Sequence, residues 1–234
     1  MGLFDKFKSN RVLTPEERRN KSNERIKKMG VACFEQLPTI ESGNNIKLKN
    51  LDEVCKRAIA CLISTQLACS IAQGEDYADS RAFFINFLKI YRVENDLLPK
   101  EKALFDNKFT KQDVIDVAWF YETYWAIIWA LNLITNKEMD NPVATCNTER
   151  AVAIVFSTSK DYEFFKNISN LRNVEKILDM VDLYYRYHWA CVEKRIKPET
   201  EIGKLNPEVV LERRRGLEWL ISDEKDWNNI SLDT

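Results

Sequence analysis

From Val114 to Ile134 the chain is apolar or aromatic at every position except Asp116, Glu122, Thr123 and Asn132. A helix of that composition is hydrophobic around its whole circumference and has to be enclosed on most sides. Its length would also cross a bilayer. Glu122 argues against that setting, because a carboxylate near the bilayer centre costs about 2.5 kcal/mol or more and no basic flank fixes an orientation. The stretch therefore predicts a central, buried helix of a water-soluble globule, carrying one anion that needs a partner.

Start and stop signals divide the rest of the chain into further helices. Thr14, Pro15 and Glu17 form a capping-box start, and Gly30 supplies a stop. Residues 31–50 hold Pro38, Gly43, Asn44 and Asn45 without sustained periodicity, which predicts a loop with room for one short strand. Leu51, Val54, Cys55, Ala58 and Leu62 then recur on one helical face, and no charge falls between Arg57 and Glu75. Further helices are predicted over about 78–93, after Pro99, and from Thr110, which with Asp113 opens what reads as the longest one. Residues 136–155 contain Pro142 and scattered polar groups and read as a connection, followed by a short helix near 159–167. Asn173 caps a second major helix reaching about Lys197, and Pro207 begins the last, in whose interior Gly216 marks close packing. The expected fold is all-α: a single multi-helix globular domain over residues 13–234 with two central, largely buried helices, preceded by a flexible segment 1–12.

Charge excludes some functions. Thirty-five basic and thirty-six acidic side chains nearly cancel, so no whole-molecule field draws the protein onto nucleic acid or an anionic membrane. The run Arg213–Arg215 is too short, and too closely followed by Glu218, to alter this. The six cysteines lack metal-binding or redox spacing and read as reduced core residues. The opening MGLFDKFKSN has no secretory pattern, and Lys6 stands where a myristoylation signal requires Ser or Thr. A cytoplasmic protein without a transmembrane segment is expected. Leu3, Phe4 and Phe7 among lysines allow at most a weak membrane-surface contact by residues 1–10.

The charged residues of the apolar helices are the candidate site. In the Asn173 helix, Glu175, Asp179, Asp182, Arg186 and Glu193 fall on one stripe, opposite Ile177, Val181, Tyr184, His188 and Val192. In the last helix Arg213 projects into the apolar face made by Val209, Val210, Leu217 and Leu220. Buried anions and cations have to pair, so Glu122, Arg172, Asp179, Asp182, Arg186 and Arg213 are expected to form one inter-helical charge network. The same carboxylates are candidates for acid–base work, with His188 the one available imidazole. His188 lies roughly 120° or more around the helix from Asp179 and Asp182, which favours a hydrogen-bonded core histidine. With a single histidine in the chain, no metal or other cofactor is expected. Trp119, Trp125, Trp129, Trp189 and Trp219 are core material or the walls of a ligand pocket.

Four strings carry a family resemblance: WFYETYWAIIWAL at 119–131, LRNVEKILDMVDLYYRYHWA at 171–190, ERRRGLEWL at 212–220, and a terminal Trp followed by Asp-Thr. They resemble an uncharacterised bacterial family, domain of unknown function 4272, from about Gly30 to the C-terminus. Its pattern falls on Trp119, Glu122, Trp129, Arg172, Asp179, Asp182, Arg186, His188, Trp189, Glu212, Arg213 and Trp219, which adds Glu212 to the charged set. The resemblance implies a bacterial or phage origin and a shared helical fold. It brings no activity with it.

No catalytic or cofactor motif stands out, so the expected function is a non-enzymatic protein-interaction domain, such as an immunity or adaptor protein that caps a partner protein. Two alternatives stay open. One is a hydrolase or transferase using Glu122, Asp179 and Asp182 in a solvent-reaching cleft; the other is a small-ligand module with a Trp-lined pocket.

Overall fold

Ten α-helices and two 3-10 turns make up residues 11–234, the part of the chain that the computed structural model describes. What was expected of residues 1–10 lies outside them. The helices are α1 (Pro15–Lys28), α2 (Leu51–Gln73), α3 (Tyr77–Tyr91), α4 (Pro99–Phe105), α5 (Lys111–Ala130), α6 (Asn136–Met139), α7 (Thr148–Phe156), α8 (Tyr162–Ile168), α9 (Val174–Ile196) and α10 (Pro207–Leu220). The strand anticipated within 31–50 is reduced, among the described residues, to an isolated antiparallel bridge between Val31 and Ile202. The all-α class is therefore as expected.

Helix starts follow local chemistry. Reciprocal capping boxes open α1 (Thr14 with Glu17), α2 (Asn50 with Glu53) and α5 (Thr110 with Asp113), each satisfying two amides that the helix leaves without partners. The Asn173 side chain accepts from the Lys176 amide at the start of α9, and Asn206 followed by Pro207 opens α10. Two expectations need correction. Residues 136–155 hold α6 and α7, started by side-chain caps from Thr135 and Asn147. α5, at 20 residues, is shorter than α2 and α9 at 23 each, because Leu131 leaves the helix and Asn132 takes a left-handed φ of 60°.

The described residues gather into two compact units, each assembled from non-contiguous segments. One takes residues up to 46 and 173–203, and packs α1 against α9. The other takes residues 47–172 and 204–234, and has α5 at its centre between α2 and α10. The two central helices foreseen from the sequence are thus each the core element of a different unit.

In the second unit α5 is enclosed completely from Glu122 to Leu131, where every residue is buried. Gly216 allows the approach of α10: a Cβ there would lie 2.7 Å from the Thr123 carbonyl oxygen and 3.1 Å from the Ala126 methyl. α2 is the one described helix long and apolar enough to cross a membrane, with mean hydropathy 1.3, and 72% of that window is buried within the protein.

Candidate functional site

Glu122, the anion inside α5, is 1% exposed. One carboxylate oxygen accepts the Cys146 amide at 2.6 Å, and the other accepts Arg213 Nε at 2.8 Å. Arg213, also 1% exposed, donates through Nη1 to the Met139 and Asn141 carbonyls at 2.8 and 3.2 Å. The cation thus pins the loop before α7 as well as its ion partner. The adjacent residue, Glu212, accepts the Thr123 hydroxyl at 2.8 Å and is bracketed by Arg215 Nε at 3.2 Å and Nη2 at 3.3 Å. Burial pushes the Glu212 carboxyl above its ordinary pKa, against the opposing pull of Arg215 and Thr123.

Arg172 belongs to the same unit but binds carbonyls: Nε donates to Trp129 O at 2.7 Å, Nη2 to Ile134 O at 3.0 Å, and the guanidinium lies 4.9 Å from the Trp129 ring centroid. Such contacts satisfy a guanidinium without an anion.

The α9 charges form separate pairs in the other unit. Asp182 and Arg186, both fully buried, make a bidentate pair one helical turn apart at 2.7 and 3.0 Å, and Arg186 Nη2 also donates to the Pro38 carbonyl at 3.2 Å. Asp179, with a quarter of its side chain exposed, accepts Arg18 Nε at 3.1 Å and Lys21 Nζ at 3.4 Å, while Arg18 Nη2 reaches Glu175 at 2.6 Å. His188 is buried at 5% exposure. The residues expected to form one network are therefore distributed as local pairs, Glu122 with Arg213 in one unit and Asp182 with Arg186 in the other.

Three buried arginines, Arg18, Arg57 and Arg214, were not anticipated. Arg18 sits on α1, whose charges follow one another so densely that no face stands out. Arg57 donates through Nη2 to both carboxylate oxygens of fully buried Glu101, at 2.5 and 2.6 Å, beneath the Trp227 ring. A signal existed for Arg57, since it falls between Val54 and Cys61 on the buried face of α2.

The same helix that hides Glu122 has an open first half. Ile115 is 51% exposed, and Trp119, one turn on, is half-buried. Together they form a ridge with a hollow on each side. A groove of about 320 Å³ is walled by Ala72, Val114, Ala118, Trp119, Tyr121 and Thr145. Glu122 contributes to its floor, but with both oxygens already engaged. On the other side a cleft of about 480 Å³ is lined by charged groups, with Lys100, Asp116, Glu208, Glu212 and Arg215 among them. Lys100 pairs with Asp116 there, as Arg215 does with Glu212.

The remaining tryptophans divide by burial. Trp125, Trp129 and Trp219 are core, as is Trp227, and Trp189 is half-buried and stacks on Phe34 with centroids 5.8 Å apart. The six cysteines are free thiols. Among the described residues no three His, Cys, Asp or Glu side chains gather as a metal site would require.

No curated protein and no solved structure matches the chain. The model of a family described as a domain of unknown function (DUF4272) matches residues 18–230. The match starts twelve residues before Gly30, where the resemblance first became legible, and so takes in Arg18 and its ion pairs to α9. With nearly the whole chain covered, this protein belongs to the DUF4272 family.

Proposed function

We propose that the protein is a non-enzymatic interaction module that holds a partner protein over the Ile115–Trp119 ridge. The observation that carries this reading is an apolar excess on α5 that the fold does not cover. A soluble helix normally turns polar residues outward, yet here an exposed isoleucine and a half-buried tryptophan stand between two hollows. The arrangement has the anatomy of a protein interface: an aromatic anchor, an apolar groove beside it, and a rim of paired charges. An immunity or adaptor role in the cytoplasm, capping a partner, is the biological form this reading takes.

The hydrolase or transferase alternative has less support, because Glu122 and Asp182 are buried and each is held by an arginine, and Asp179, a quarter exposed, is held by Arg18 and Lys21 in the other unit. The small-ligand alternative keeps one observation, the 320 Å³ groove beside Trp119 and Tyr121, which is at the lower end of the size range for ligand pockets.

The test is affinity capture with the wild-type chain and with Trp119→Ala and Ile115→Asp, followed by reconstitution of any captured partner in purified form. Loss of a central aromatic anchor should weaken binding about thirty-fold or more. A partner bound equally by all three chains would overturn the assignment of this face. A specific small molecule that quenches wild-type fluorescence but not that of Trp119→Phe would favour the ligand reading instead.

A further inference from the structure

A third hollow, of about 330 Å³, lies among the start of α2, the turn before α4 and the end of α10. None of its lining residues belongs to the Ile115–Trp119 ridge or to the two hollows beside it. Two half-buried groups of opposite charge line it, the Lys49 ammonium and the Asp96 carboxylate. Among the described residues no hydrogen bond or ion pair engages either group, although both line one pocket. Lys49 Nζ rests 4.9 Å from the Trp219 ring centroid, a contact that leaves its hydrogen-bond donors unused.

The backbones that carry these two groups are fixed. The Lys49 amide donates to the Leu220 carbonyl at 3.0 Å. The Asp96 carbonyl accepts Arg57 Nη1 at 2.5 Å, and Arg57 is itself held by buried Glu101. Burial, with Lys47 adding to it, lowers the pKa of the Lys49 ammonium against the pull of Glu53, Asp223 and Glu224. Burial, with Asp52 and Glu94 adding to it, raises that of the Asp96 carboxyl against Lys56 and Arg57. Each charge is thus left with a desolvation cost that its neighbours do not fully offset.

The mixture of signs decides between ligand classes. A simple anion drawn to Lys49 and Lys225 would meet Glu53 and Asp96 in the same pocket, and a simple cation would meet the two lysines. Each would exchange one favourable contact for one unfavourable. A molecule carrying both charges answers both unpaired groups. We propose that this pocket binds a small zwitterion of the amino-acid type, its carboxylate on Lys49 and its ammonium on Asp96, with Leu97, Leu98 and Trp219 beside its carbon skeleton. The volume, at the lower end of the range for ligand pockets, suits a molecule of that size.

NMR titration of the isotope-labelled full chain with the free α-amino acids, and with the straight-chain amino acids from β-alanine to aminohexanoate, tests this directly. The Trp219 indole N–H, which donates to the Lys225 carbonyl at 3.1 Å, is a reporter at the pocket wall. At least one member of the series should shift that signal and saturate it at about millimolar concentration or below. Its methyl ester and its N-acetyl derivative, each missing one charge, should bind about tenfold or more weaker. Lys49→Met should abolish the preference for the acid over the ester, and Asp96→Asn the preference for the free amine over the acetylated form. Neither side chain is hydrogen-bonded to the rest of the described chain, so circular dichroism should report an unchanged fold for both variants. Trp119→Ala should leave the titration unchanged, which separates this site from the α5 ridge. A series in which no member binds, derivatives that bind as tightly as the parent, or variants that keep the wild-type discrimination would each overturn the proposal.

Discussion

Substituting Glu122 by methionine removes the buried anion of α5 while nearly keeping its volume, so the change isolates charge from packing. Arg213 would then remain 1% exposed without the Glu122 carboxylate, and the Cys146 amide would lose its acceptor. Leaving one member of a buried ion pair without its partner costs about 3–5 kcal/mol. That is a large fraction of the 5–15 kcal/mol by which domains are typically stable. For a chain of this length each kcal/mol shifts Tm by about 2–4 °C, so Tm should fall by about 6–20 °C. Arg213→Met should cost a similar amount for the mirror-image reason.

The double variant is the sharper measurement. With both charges gone the site is apolar, and the remaining penalty is that of the backbone groups that lost partners, about 2–4 kcal/mol in total. The coupling energy between Glu122 and Arg213 should therefore be at least about 2 kcal/mol in a double-mutant cycle measured by urea titration, with circular dichroism melts as a check. A Glu122→Met chain melting within about 2 °C of wild type, or a double variant whose loss equals the sum of the singles, would refute the reasoning.

Two further substitutions probe packing and titration. Gly216→Ala would stabilise an ordinary helix interior by about 1 kcal/mol, but here the new methyl meets the Thr123 carbonyl at 2.7 Å, so a net loss of about 1–3 kcal/mol is expected in thermal melts, and a gain would contradict the close approach of α10 to α5. Hydrogen bonds from Lys166, Tyr162 and Lys56 hold the Asp52 carboxyl well below its ordinary pKa, so its stabilisation is present above about pH 4 and is lost as pH falls through the folded-state value; the Tm difference between wild type and Asp52→Asn should therefore shrink below about pH 4, and a constant difference would refute the linkage.

Legibility in the sequence tracked how much each feature depends on its own helix. Caps are local, so Thr14, Thr110, Asn173 and Pro207 marked their helices from a few residues each. Arg213 was recognisable as an anion-seeking cation because it interrupts an apolar face, and Glu122 because it interrupts an apolar helix. Which cation meets which anion is not local. Asp182 finds Arg186 one turn away, whereas Asp179 takes Arg18 from 161 residues earlier in the chain. α6 and α7 escaped notice because four and nine residues carry too little periodicity to stand out beside Pro142.

The apolar run on α5 deserves a different explanation along its two halves. From Glu122 onward it was read correctly as a helix closed on all sides, and every residue through Leu131 is buried. Before Glu122 the same reasoning overreached, because Ile115, Ala118 and Trp119 are apolar and yet are not enclosed. Composition sets how much apolar surface a helix needs covered; the fold sets how much of it the rest of the chain covers. Where the need exceeds the supply, as at Ile115 and Trp119, the remainder is available to another molecule. α3 presents the same inequality at Phe83 and Ile90, which are exposed, and at half-buried Phe87. The buried arginine pairs follow the opposite logic, since a sealed carboxylate with both oxygens engaged holds helices together and leaves nothing for a substrate. A few charges are buried and paired in this protein while Ile115, Phe83 and Ile90 stay exposed, the contrast on which the proposed interaction role rests.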